Sequence, residues 1–152
     1  MNLSPTVNLL NAEELAAWRG MLRAHAGLTR RLDSELLAEH GLPLTSYEVL
    51  LFLADSPDGR MRMSELADSV LLSRSGLTRL VDRLARAGLL ERVPCDEDAR
   101  GWFAAITDSG RLLFDQARVT HLNGVRRLFL AQLTDGEREV LGAVFDRLDQ
   151  SR

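Results

Sequence analysis

The stretch from Met63 to Leu84 constrains this chain more than any other. Its first part, Met63 to about Val70, reads as a short helix with Glu65 in the first turn. Its N-terminus is poorly capped, because Arg62 or Met63 holds the capping position. Ser73 caps the next helix, the fourth along the chain, which continues to about Ala87 and stops at Gly88. Leu77, Leu80, Val81 and Leu84 form the buried face of that helix. Arginines remain on its polar face. Two short helices joined by a tight turn make a module sized for the DNA major groove.

A hairpin follows directly. Leu89 to Val93 and Trp102 to Ile106 read as two strands around a loop, Pro94 to Gly101. Arg100 on that loop is placed to reach the neighbouring minor groove. Asp98, two residues earlier, can accept its hydrogen bonds and fix its direction; the alternative is a turn stabilised by Asp98 with Arg100 in solvent. If the arginine enters the groove, Arg100→Ala weakens DNA binding by ~1–3 kcal/mol in an anisotropy titration, and unchanged affinity at moderate salt excludes the role. Arg92, at the end of the first strand, is a further candidate for the DNA backbone.

The flanks are helical. Asn11 can cap a helix with Glu13 and Glu14 in its first turn, and Gly41 after His40 ends it. Leu15, Trp18, Leu22, Leu28, Leu32 and Leu36 recur along it at roughly helical spacing. About 28 residues span ~42 Å, a length that bridges parts of an assembly. Thr45 or Ser46 can cap the next helix, and Ser56-Pro57-Asp58-Gly59 ends it. Arg60 to Arg62 is a short extended piece. Thr107 caps a fifth helix, roughly Asp108 to Leu130, and Thr134 with Glu137 forms a capping box for a last helix to about Gln150. Leu122, Val125, Leu128 and Phe129, then Val140, Leu141, Val144, Phe145 and Leu148, are apolar stripes for a core or an interface between chains. These outer helices carry more apolar surface than one small module needs to cover. The expected fold is mainly α with a small β-hairpin wing: a winged helix-turn-helix over about 42–107, with helical regions at about 11–40 and 108–150 in a single 1–152 domain.

Charge is unevenly spread. The net charge of −3 argues against a generally basic nucleic-acid binder. Residues 1–59 hold 4 Arg against 8 acids, residues 60–100 hold 8 against 7, and residues 101–152 hold 7 against 7. Within 72–92 there are 5 Arg and 2 acids, so the positive charge is focused on the helix-turn-helix. All 19 basic residues are arginine, so every cationic contact uses a planar fork able to make two hydrogen bonds.

Taken together, several segments resemble the MarR family of bacterial transcriptional regulators over nearly the whole chain. They are Met63-Ser64-Glu65-Leu66-Ala67, Leu72 to Leu84, Ala87-Gly88-Leu89-Leu90-Glu91-Arg92, and Asp98-Ala99-Arg100 with Ile106-Thr107-Asp108-Ser109-Gly110. The resemblance implies a homodimer whose dimerisation region is built mostly from the first helix and the last two. It implies a palindromic double-stranded DNA operator, read by helix four in the major groove and by the wing in the minor groove. It also implies repression, often relieved by a small aromatic or phenolic effector bound between the dimer region and the DNA-binding module.

The DNA-binding candidates are Ser73, Arg74, Ser75, Gly76, Thr78, Arg79 and Arg83 on helix four, with Asp98 and Arg100 on the wing. Free N–H groups at Ser73 to Gly76 attract a phosphate, and Gly76 permits close approach. Arg74 or Arg79 can read a guanine edge or bind phosphate instead. Trp18 and His25, seven apart on one face, can line an effector pocket against helix two with Tyr47; core or interface packing is the plainer reading of each. Cys95 is the single cysteine, which excludes an internal disulfide and fits a reducing cytosol. Met1-Asn2-Leu3-Ser4-Pro5 lacks a basic then apolar run, so no secretory signal is expected; no apolar run approaches the length of a membrane span, and the location expected is cytoplasmic. No cofactor or metal is expected. Three separated histidines, with no phosphate-binding glycine loop and no nucleophile elbow, argue against an enzyme. A helical adaptor or an activator of the same fold are the competing functions.

Overall fold

In the computed structural model, residues 9–70, 72–95 and 98–149 are described, with side chains omitted at 98–100. The helices are α1 (Ala12–His40), α2 (Leu44–Asp55), α3 (Met63–Ser69), α4 (Arg74–Arg86), α5 (Asp108–Leu128) and α6 (Asp135–Asp149). Three strands, β1 (Arg60–Arg62), β2 (Leu90–Cys95) and β3 (Asp98–Ile106), form an antiparallel sheet in the order β1-β3-β2. No described helix is long and apolar enough to cross a membrane.

Most helix ends follow from local chemistry. Asn11 and Glu14 satisfy each other's backbone N–H groups at the start of α1, and Gly41 closes it in the left-handed region at φ 62°. Thr107 Oγ1 accepts the Gly110 N–H at 3.0 Å, and Thr134 and Glu137 reciprocate at the start of α6. The cap of α2 departs from expectation. Neither Thr45 nor Ser46 serves; Pro43 holds the cap position, and Asp33 of α1 accepts the Leu44 N–H at 2.8 Å. Ser46 is instead buried. A residue eleven positions back supplies the acceptor, which a local pattern does not reveal. The fifth helix also ends earlier than expected, at Leu128, before a 3-10 turn at Leu130–Gln132.

Two apolar clusters share α2. Val49 and Leu53 pack with Leu66 and Ala67 of α3, Leu77, Leu80, Val81 and Leu84 of α4, and Leu90 and Ala104 of the sheet. The opposite side of α2, through Tyr47 and Leu50, packs with Leu36, Leu42, Phe114 and Ala117. The first cluster holds the DNA-sized module together, and the second fastens it to α1 and α5. Along the α1–α5 seam, Glu35 pairs with Arg127 at 2.6 Å, and His40 Nε2 and Thr120 Oγ1 are 2.8 Å apart.

His121 sits in the second region, with its ring 4.6 Å from that of Tyr47 and its Nδ1 buried without a partner. Burial pushes its pKa below the usual histidine range. The unfolded chain therefore takes up this proton more readily than the folded one, and stability falls as pH drops below about 6.5. Glu48, whose carboxyl is raised by burial, acts in the opposite sense nearer its own range. Thermal melts between pH 7.5 and 5.5 are expected to show a declining midpoint, with a shallower decline in His121→Gln. Equal slopes in the two proteins would refute this assignment.

Candidate nucleic-acid interface

Helix α4 separates its faces sharply. Leu77, Leu80, Val81 and Leu84 are buried, while Ser73, Arg74, Ser75, Thr78, Arg79 and Arg83 are exposed and Gly76 is half-buried. Ser73 Oγ accepts the Gly76 N–H at 3.1 Å, so the hydroxyl beside Arg74 is already spoken for in part. A Cβ at Gly76 would come within 3.0 Å of Ser73 Oγ and crowd that cap. Ser75, Arg79 and Arg83 stack one turn apart on one stripe. Like charges at this spacing destabilise a helix by about 0.2–0.5 kcal/mol, a penalty that an external anion would remove. Among the described residues, Arg74, Arg79 and Arg83 have no acidic partner. A 13-residue helix offering uncompensated guanidinium groups on one side suits a polyanion.

Other arginines of the module are engaged. Arg86 Nε donates to the Asp82 carbonyl at 3.3 Å, one turn back. Arg92, expected on the DNA backbone, reaches Asp82 of α4 at 2.8 Å and so ties the wing to the recognition helix. Arg60 and Arg62 both lie over the Phe103 ring, at 5.1 and 5.4 Å from its centroid. The sequence reading did not single out Phe103 or Trp102. The alternation that places them on opposite faces of β3 was present, but nothing in it said which face meets solvent.

The wing differs from the expected Pro94–Gly101 loop. β2 continues through Pro94 to Cys95, β3 begins at Asp98, and Arg100 lies in the strand rather than on a loop. Pro94 is tolerated because β2 is an edge strand, and the register shifts beside it. The side chains of Asp98 and Arg100 lie outside those described. Cys95 is buried.

The three effector candidates are not gathered together. Trp18 is 53% exposed, and α1 has no buried residue other than Leu36. His25 is exposed and lies close enough to Glu48 of α2 for its charge to draw down that carboxyl's raised pKa. Tyr47 is buried between Phe114, at 5.5 Å ring to ring, and His121. The tyrosine faces the core of its own chain, whereas Trp18 lies on a part of α1 that its own chain leaves uncovered.

A family model described as MarR family matches residues 40–101, the span from the end of α1 to the wing. Among solved structures, this chain is similar to Sco3205, a MarR family transcriptional regulator from Streptomyces coelicolor crystallised in complex with DNA, at 34% identity and a TM-score of 0.90, covering 95% of this chain and 91% of that one. It is also similar to AbsC, another MarR family transcriptional regulator from Streptomyces coelicolor, at 32% identity and a TM-score of 0.89, over 95% and 97% of the two chains. A third relative, the HTH-type transcriptional repressor YetL of Bacillus subtilis (strain 168), is 29% identical over 115 residues, 73% of this chain and 68% of that protein. These relatives are transcriptional regulators rather than enzymes, and the likeness at more than 30% identity runs through the flanking helices as well as the winged module. The protein belongs to the MarR family of transcriptional regulators.

Proposed function

We propose that the protein is a cytoplasmic, homodimeric repressor that binds a palindromic operator in double-stranded DNA. The observation that carries the reading is the two-faced α4: a sealed apolar side and an open side whose Arg74, Arg79 and Arg83 have no acidic partner among the described residues. Ser73, Arg74, Ser75, Gly76, Thr78, Arg79 and Arg83 then meet the major groove, and Asp98 and Arg100 of the wing meet the minor groove. The similar Sco3205 was crystallised with DNA, and YetL is named a repressor, which supports the same reading. The test is a fluorescence anisotropy titration with DNA from upstream of the protein's own gene. Salt-sensitive binding tighter than to a scrambled duplex is expected, and equal affinity for both would sink the sequence-specific reading.

Arg79→Ala separates two roles of the helix. If Arg79 reads a base, it weakens operator binding by about 1–3 kcal/mol and relaxes the preference at one base pair. If it holds a phosphate, affinity for operator and scrambled duplex falls alike and the salt slope drops by about 1. A titration across both duplexes at several salt concentrations tells them apart.

Release by a small aromatic or phenolic effector is part of the proposal, with Trp18, His25 and Tyr47 as its candidate contacts. His121, with an unpartnered buried nitrogen beside Tyr47, joins them. A structure soaked with such a ligand that bound elsewhere would remove these residues from the site.

A further inference from the structure

Among the described residues, helix α6 buries nothing and belongs to neither apolar cluster. Only Leu133 and Thr134 separate it from the 3-10 turn at Leu130–Gln132. Each linking residue has two soft dihedrals, so the link alone would let the helix swing. Arg138, in the first turn of α6, reaches back across it. Its Nη2 donates to the carbonyls of Leu133 at 3.1 Å and Leu130 at 3.3 Å, and its Nη1 donates to Asp135 at 2.7 Å. The turn has its own anchor. Gln132 Nε2 donates to the Arg127 carbonyl at 3.4 Å, and the Arg127 guanidinium pairs with Glu35 of α1. A run of polar contacts thus leads from α1 through the end of α5 to α6.

Carbonyls at the end of a helical segment carry partial negative charge and spare lone pairs, so a guanidinium is well matched to them. An exposed ion pair such as Arg138–Asp135 contributes little by itself. The two carbonyl bonds do more, because they join the helix to a turn outside it and so set the angle of the corner. That angle acts through leverage. With 15 residues, α6 is ~22 Å long, and a swing of about 10° at its base carries its far end by ~4 Å. DNA half-sites lie one duplex turn apart, about 34 Å, so a shift of that size is felt. We infer that Arg138 is a positioning residue: it fixes the angle between α5 and α6, and through α6 the separation at which two copies of the chain present α4 to a duplex. This inference rests on the homodimer proposed above.

The experiment uses the full-length chain carrying Cys95→Ala and Ala87→Cys, with a spin label on the new thiol at the exposed end of α4. Pulsed electron–electron double resonance reads the distance between the two labels of a dimer without any DNA. This labelled parent is expected to give one narrow distribution. Arg138→Ala is expected to broaden it by ~4 Å, the swing of α6. Arg138→Lys, whose ammonium can still donate to both carbonyls, is expected to restore it. Asp135→Asn leaves the carbonyl bonds in place and is expected to keep it narrow. Affinity for the duplex from upstream of the protein's own gene is expected to fall about tenfold in Arg138→Ala and to recover in Arg138→Lys. A distribution as narrow in Arg138→Ala as in the parent overturns the inference, as does broadening that leaves affinity unchanged. Equal broadening in Asp135→Asn also overturns it, since the local ion pair would then set the angle. Helical circular dichroism lost from Arg138→Ala would make the residue part of the fold and overturn its positioning role. If Arg138→Ala sediments as one folded chain, recovery of the dimer in Arg138→Lys supports the inference and failure to recover overturns it. In each of these cases the homodimer reading stands, whereas a parent with no distance between labels defeats both.

Discussion

Gly110→Ala is expected to destabilise the protein by about 3 kcal/mol, near the upper end for an overpacked site. The melting midpoint should fall by about 9 °C for a chain of this size. Gly110 stands in the first turn of α5 and is buried. A Cβ there would run into the carbonyl oxygen of Leu89 and approach Ile106 Cγ1 at 3.0 Å. The backbone at Leu89 is poorly placed to retreat. Its carbonyl accepts the Thr107 N–H at 3.2 Å, and the Gly88 carbonyl accepts the Thr107 hydroxyl at 2.6 Å. The same hydroxyl caps α5 through the Gly110 N–H. Better helix propensity would offset only about 1 kcal/mol of the clash. Gly88 makes the comparison: its φ is +73°, yet a Cβ there meets nothing within 4 Å. Gly88→Ala should therefore lose only about 1–2 kcal/mol, from left-handed backbone strain alone. If the two variants melt together, the close approach at Gly110 is not what holds the wing against α5.

Glutamates at Val140 and Phe145 are expected to leave a folded single chain and to weaken operator binding by about 100-fold or more. Among the described residues α6 buries nothing, and Val140 and Phe145 are 63% and 48% exposed. Leu112, Val119 and Leu122 of α5 and Trp18, Met21 and Leu22 of α1 are exposed as well. Large apolar side chains exposed on three helices suit an interaction surface, and in a homodimer a second copy covers them. Because both clusters of the single-chain core lie elsewhere, charges on α6 are expected to strike the proposed dimer rather than the fold. In that dimer the loss in DNA affinity comes from uncoupling two half-sites one duplex turn apart. Sedimentation should give one-chain mass for the double variant and two-chain mass for wild type, with helical circular dichroism retained. A wild type that sediments as one chain at micromolar concentration would sink the dimer proposal.

Much of the winged module could be read directly from residue order. Ser73 at the start of α4, Gly88 after its end, and the Leu77–Leu80–Val81–Leu84 spacing are local signals, and local backbone geometry obeys them. The same holds for the Asn11–Glu14 and Thr134–Glu137 boxes. The exposed arginines of α4 followed at once, since a helix with one apolar stripe must turn its other residues outward. Residue order places the wing but makes its strands shorter than they are. Pro94 and Asp98 look like turn residues until β3 pairs with both neighbours and carries them into the sheet.

Residue order by itself determined the helices, the N-terminal caps of α1, α4, α5 and α6, and which side of α4 faces water, because those depend on contacts within a few positions. Tertiary structure alone decided that Asp33 caps α2, that Arg92 is drawn to Asp82, that Tyr47 turns inward onto His121, and that Gly110 has no room for a methyl group. Each of those pairs residues that the chain keeps at least 10 positions apart. Only closure of the two apolar clusters brings them within reach, and no periodicity along the chain encodes that closure.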